Sequence, residues 1–163
     1  VQATTELRSL KKAINSELMP RVFWRDAAFY MVLLAGPLCW VCLLVIGQPV
    51  VGPPELVVWL KLSLLMPVLE EIVFRGGLQA GLHTRVFFKQ HFYGVSLANI
   101  STSALFASMH LISQPPLWAA LVFIPSLVFG WARDRYINLL PSILLHGVYN
   151  AGFVWFFVAK SSA

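Results

Sequence analysis

Two adjacent carboxylates, Glu70 and Glu71, stand in the apolar stretch LMPVLEEIVFRGG with Arg75 close behind. Glu71 and Arg75 are four residues apart with the acid N-terminal, the favourable order for an ion pair within a helix. At 3.6 residues per turn, Glu70 lies about 100° round the helix and has no such local partner. Pro67 removes one backbone bond just before the pair. It is expected to kink the helix and open room for water beside Glu70. Two later stretches supply imidazoles. His110 closes FASMH, four residues after Phe106, and His146 opens HGVYN, with Asn150 four residues on and on the same helical face. These are the parts of a hydrolytic site: a carboxylate to take a proton from water, an imidazole to share that task, and donors to hold an oxyanion. The plainer alternative is that the polar groups bond one another and staple a helical bundle.

The surroundings of these groups are oily. Of the 163 residues, 58% are hydrophobic and 12% charged, and mean hydropathy is +0.74. A water-soluble domain carries about a quarter charged residues. The chain therefore reads as an integral membrane protein with one helical domain. An ionisable group at mid-membrane costs roughly 3 kcal/mol on insertion scales, so such groups face a protein interior or a wet cavity. Lys61, near the end of its run, is expected to snorkel to the interface.

Five apolar runs position the polar groups: Ala27 to Ile46, Leu56 to about Leu82, Val95 to Ile112, Leu117 to Ala132 and Leu139 to Val158. The fourth is short for a span. Breaks such as GQPVVGPPE and SQPP separate them, and HTRVFFKQHFYG suits a membrane interface. Upstream, Leu7, Leu10, Ile14 and Leu18 recur at helical spacing with Arg8, Lys11 and Lys12 on other faces. That pattern fits a basic amphipathic helix on the membrane surface, or an ordinary helix packed on the protein. The first apolar run is too long and begins too late for a cleaved signal peptide. The fold expected is an all-α polytopic transmembrane bundle of about five spans: an interfacial segment over 1–26 and a membrane domain over 27–163. Lys and Arg cluster before the first run, after the second and after the fourth. That pattern puts the N-terminus in the cytoplasm and the C-terminus outside, with only Lys160 against it. The net charge of +5 is spread between runs rather than gathered in a patch, which speaks against a nucleic-acid partner. Cys39 and Cys42 lie within an apolar run and are expected to pack rather than to bind metal.

EEIVFR, FASMH and HGVYN, in that order and each on its own apolar run, resemble the motifs of the CAAX-protease and bacteriocin-processing family of glutamic intramembrane proteases. The resemblance covers about 56–158. It implies that Glu70 is the general base activating a water, that His110 helps to position and deprotonate that water, and that His146 and Asn150 stabilise the oxyanion. Glu71, Arg75 and Phe106 match family positions in supporting roles. It implies neither metal nor organic cofactor, and a membrane-anchored protein or peptide as substrate, cut near its C-terminus within or beside the lipid bilayer. The short chain departs from the eukaryotic pattern and looks like a compact prokaryotic member of the cytoplasmic membrane.

Two rival readings use the same residues. Glu70, His110 and His146 could ligate zinc, although no H-E-x-x-H is present. Buried Glu and His could also serve a proton-coupled carrier, although no internal repeat is visible. A serine protease fits poorly: Ser108, two residues before His110, points about 200° away, and no G-x-S-x-G is present. Depth poses a separate difficulty. Counted from the starts of their runs at 1.5 Å per residue, His110 lies about 22 Å in and His146 about 10 Å in. A shared site requires tilt, a helix that starts outside the membrane, or a different register.

Overall fold

The computed structural model describes residues 22–46 and 53–158. The expected amphipathic helix over 5–19 lies outside them. Helix forms wherever the sequence is apolar, because backbone groups in hydrocarbon must bond within their own segment. The first helix, Ala27–Ile46, follows a single 3₁₀ turn at Phe23–Arg25, and the Asp26 carboxylate accepts the Ala28 amide at 3.0 Å where it begins. Residues 56–82 are helical throughout but change register. α-Helical Leu56–Leu60, Met66–Glu71 and Ala80–Leu82 alternate with π-helical Lys61–Leu65 and Ile72–Gln79. A small antiparallel hairpin pairs His91–Phe92 with Val95–Ser96, turning at Tyr93 and Gly94, both with positive φ. The third helix, Leu97–His110, is capped by Ser96, whose hydroxyl accepts the Asn99 amide at 3.0 Å. Pro116–Leu121 and Phe123–Tyr136 form a nearly continuous fourth unit, and Leu140–Phe157 the last.

Among the described residues, three helices are long and apolar enough to cross a membrane: Ala27–Val45, Pro116–Tyr136 and Leu140–Phe157. The fourth apolar run is thus longer than it reads, because the helix continues through Arg133, Asp134 and Arg135. The third is shorter than it reads, because Val95 and Ser96 are spent on the hairpin. Its 14 residues rise only about 21 Å, against a hydrocarbon core of about 30 Å. The run over 56–82 is long enough but carries Lys61, Glu70, Glu71 and Arg75. The residues before its Pro67, Leu65 and Met66, keep helical dihedrals, and the register just before the proline is that of a π turn.

One end of the bundle is tied together by acids. The Asp134 carboxylate accepts from Gln79 Nε2 at 2.7 Å and Ser96 Oγ at 2.6 Å, and lies 2.7 Å from His83 Nε2. It therefore joins the 56–82 run, the third helix and the fourth. Nearby, Asn99 donates to the Leu127 carbonyl at 2.9 Å. A Cβ on Gly130 would stand 1.9 Å from Asn99 Oδ1, so only glycine admits this contact. Asp26 accepts from Arg135 at 2.8 Å and from the Tyr136 hydroxyl at 3.1 Å, fixing the first helix to the fourth. Beside it pack Phe23, Phe29, Phe129, Ala132, Tyr136 and Leu145. Cys39 and Cys42 are exposed on the first helix and point out of the bundle, not into it. They sit on a helix that is apolar all round, so the sequence pattern could not say which side faces inward.

Removing the shared acceptor in Asp134→Ala strands two side-chain donors and the His83 partner, and is expected to cost about 2–3 kcal/mol in reversible detergent unfolding. The hydrogen bond from Arg135, with those from the Ala28 amide and Tyr136, holds the Asp26 carboxyl below its ordinary value of 3.8 despite some desolvation. A depressed carboxyl stabilises the fold above its unfolded value and loses that contribution as pH falls through the folded one. The stability difference between wild type and Asp26→Asn is therefore expected to persist above about pH 4 and to shrink below it.

Candidate active site

Glu71, Arg75 and Gln79 succeed one another at intervals of four and are fully buried, so this face of the 56–82 run is a polar stripe turned into the bundle. Arg75 Nη2 donates to the Ser126 carbonyl at 2.9 Å and to Ser126 Oγ at 2.7 Å, and its Nε lies 3.4 Å from Glu71 Oε2. Glu71 Oε1 is 2.9 Å from His146 Nδ1. A buried carboxylate only accepts, so Nδ1 carries the proton. Glu71 is thus shared between a guanidinium and an imidazole, and the 56–82 run, the fourth unit and the last helix meet on it.

The second imidazole nitrogen faces the other acid. His146 Nε2 is 3.5 Å from Glu70 Oε2, and the Glu70 side chain is 24% exposed where that of Glu71 is 0%. That separation is longer than a direct hydrogen bond and lies within ion-pair range. Aromatic rings fix the imidazole plane. Phe129 stacks on His146 at 4.5 Å with 15° between planes, and Phe106 meets it edge-on at 5.8 Å.

His110 ends the third helix. Its Nδ1 lies 2.9 Å from the Phe106 carbonyl, another group that only accepts, so Nδ1–H is committed and Nε2 keeps its lone pair. The Phe106 ring touches His110 at 4.7 Å and His146 at 5.8 Å, and packs against Phe74 at 4.9 Å. The difference in depth counted from the sequence does not keep the two imidazoles apart, since one ring bridges them. Asn150 Nδ2 donates to the Leu62 carbonyl at 3.0 Å, one turn along the last helix from His146.

Of the candidate site residues, Glu70, Glu71, Arg75, Phe106, His110 and His146 fall in this one region, and Asn150 stands one turn along the last helix, bonded to the Leu62 carbonyl. Ser126, Phe129 and the Leu62 carbonyl complete it and were not foreseen. Gln79 had a readable signal, continuing the spacing of Glu71 and Arg75. Ser126 and Phe129 had none, since which face of the fourth run turns inward is a tertiary matter. Among the described residues, no three His, Cys, Asp or Glu side chains are grouped as a metal-holding set.

The geometry unites a pair of carboxylates in unequal surroundings with two imidazoles whose Nδ1–H groups are each held by an acceptor, within helices that suit a bilayer. The profile of the family described as type II CAAX prenyl endopeptidase Rce1-like matches residues 52–152, well over half the chain and every residue of this cluster. Searches of curated proteins and of solved structures returned no match. By that match, the chain belongs to the type II CAAX prenyl endopeptidase Rce1-like family of membrane proteases.

Proposed function

We propose that the chain is a glutamic-type intramembrane endopeptidase that cuts a membrane-anchored protein near its C-terminus. One observation carries this reading: of two adjacent acids, Glu71 is sealed in a pair with Arg75 and His146, while Glu70 is partly exposed and stands 3.5 Å from His146 Nε2 with its remaining carboxylate capacity open to a water. In the reaction, Glu70 takes a proton from a water as that water adds to the scissile carbonyl. His110 Nε2, the free lone pair, accepts the other hydrogen bond from the water and orients it. The oxyanion is held by the second Nδ2 hydrogen of Asn150 and by His146 Nε2–H. Collapse of the tetrahedral intermediate breaks the C–N bond, and Glu70 returns its proton to the leaving amine.

Holding an oxyanion requires His146 as an imidazolium, since Glu71 already occupies Nδ1–H. In that state Glu70, Glu71, Arg75 and His146 carry no net charge together, which limits the cost of keeping them in a low-dielectric interior. Arg25, Arg85, Lys89, Arg133 and Arg135 belong to the end where Asp134 and Asp26 tie the helices. By the excess of Lys and Arg on cytoplasmic loops, that end faces the cytoplasm.

Co-expression with candidate membrane-anchored proteins, read by mass spectrometry, should show a trimmed C-terminus. Glu70→Gln is expected to lower the cleavage rate about 10²–10⁴-fold with unchanged thermal stability, whereas Glu71→Gln should lose both activity and stability. Cleavage should survive a strong chelator; loss that zinc restores would move the reading to a zinc peptidase. If Glu70→Gln, His110→Ala and His146→Ala all leave processing intact, the hydrolase assignment is wrong.

A further inference from the structure

We propose that Pro67 is a positioning residue for the oxyanion donor: by lacking an N–H next to a π turn, it leaves the Leu62 carbonyl free to orient the Asn150 amide. This rests on the catalytic reading of Asn150 given above.

The argument is an account of backbone donors. In an α-helix the Leu62 carbonyl would accept from the amide of Met66. Here the Met66 amide goes instead to the Lys61 carbonyl, five residues back, which defines the π turn Lys61–Leu65. In that wider register the next amide, that of residue 67, would fall to Leu62. Residue 67 is proline and has none to give. The Leu62 carbonyl is therefore passed over twice, and a buried carbonyl without a donor is costly. Asn150 Nδ2 fills the vacancy at 3.0 Å. A carbonyl only accepts, so this bond also decides which way round the amide sits and leaves the second Nδ2 hydrogen uncommitted.

The contacts around Asn150 permit this bond. Trp40 Nε1 donates to the Tyr149 carbonyl at 3.1 Å and Trp59 Nε1 to the Ala151 carbonyl at 3.0 Å, so the backbone on either side of Asn150 is gripped by two indoles. A Cβ on Gly147 would stand 3.0 Å from the Ser63 carbonyl, an approach that brings the last helix within reach of Leu62. With the backbone held, the side-chain amide is oriented by the Leu62 carbonyl.

A proline with a merely structural role predicts the opposite result from a positioning one. Proline is a poor residue inside a helix, so Pro67→Ala should leave the fold as stable or make it more so. By the proposal, Pro67→Ala supplies an amide that competes for Leu62 and frees Asn150. The expected outcome is a kcat lowered about 10-fold, against about 10²-fold or more for Asn150→Ala, with KM little changed and no fall in melting temperature. The two losses should not add: Pro67→Ala combined with Asn150→Ala should be no slower than Asn150→Ala alone. Replacing residue 67 with the α-hydroxy analogue of alanine, which has neither ring nor N–H, should restore kcat. Selective ¹⁵N labelling reads the bond itself. The Asn150 side-chain amide should show one slowly exchanging hydrogen in wild type and lose it in Pro67→Ala. Unchanged kcat in Pro67→Ala, losses that add, or a protected Asn150 hydrogen in that variant would each overturn the proposal while Glu70→Gln remained inactive. An active Glu70→Gln would instead remove the catalytic reading beneath it.

Discussion

The Glu71 carboxylate is the constraint on which the rest of the site depends. It is fully buried and holds Arg75 on one side and His146 on the other. A buried charge is tolerated only when paired and hydrogen-bonded, and removing one partner of such a pair typically costs about 3–5 kcal/mol. Arg75 in turn is fastened to Ser126, and His146 is clasped by Phe129 and Phe106. Three helical units are thus committed to one arrangement by a single pair of oxygen atoms. Glu70, one residue away, has a different environment because its neighbour has taken the strong partners.

Polar contacts of this kind matter more to the fold in lipid than in water. Lipid tails are as apolar as the side chains they meet, so burial alone gives helices little reason to associate. The interhelical bonds of Asp134, Asn99, Asp26 and Ser142 supply specific attachment, and small residues let the backbones approach. Asp134 and Glu71 stand at two levels of the bundle and perform related structural tasks, each gathering donors from neighbouring elements.

Much of this was legible before any coordinates. The interval of four between Glu71 and Arg75 separates the paired acid from the unpaired one, and the same interval places His146 and Asn150 on one face. Among the described residues, each of the five apolar runs holds one of the long helical units. What could not be read is tertiary or lies in the backbone register. Whether Cys39 and Cys42 turn inward or outward is undecided on a helix apolar all round. The hairpin that shortens the third helix has strands of two residues each, too short to leave a period in the sequence, and only Gly94 hints at its turn. Pro67 announces a disturbance, but whether the chain answers with a bend or a π turn depends on the carbonyl partners offered by another helix.

The brevity of the third helix bears on how water reaches an oily site. A rod of about 21 Å cannot match a hydrocarbon slab of about 30 Å, and such hydrophobic mismatch is relieved by local thinning of the bilayer or by drawing headgroups inward. His110 is the last residue of that rod. The deficit in length therefore leaves the rod about 9 Å short of a full crossing, with an imidazole at its tip instead of a lipid-facing side chain.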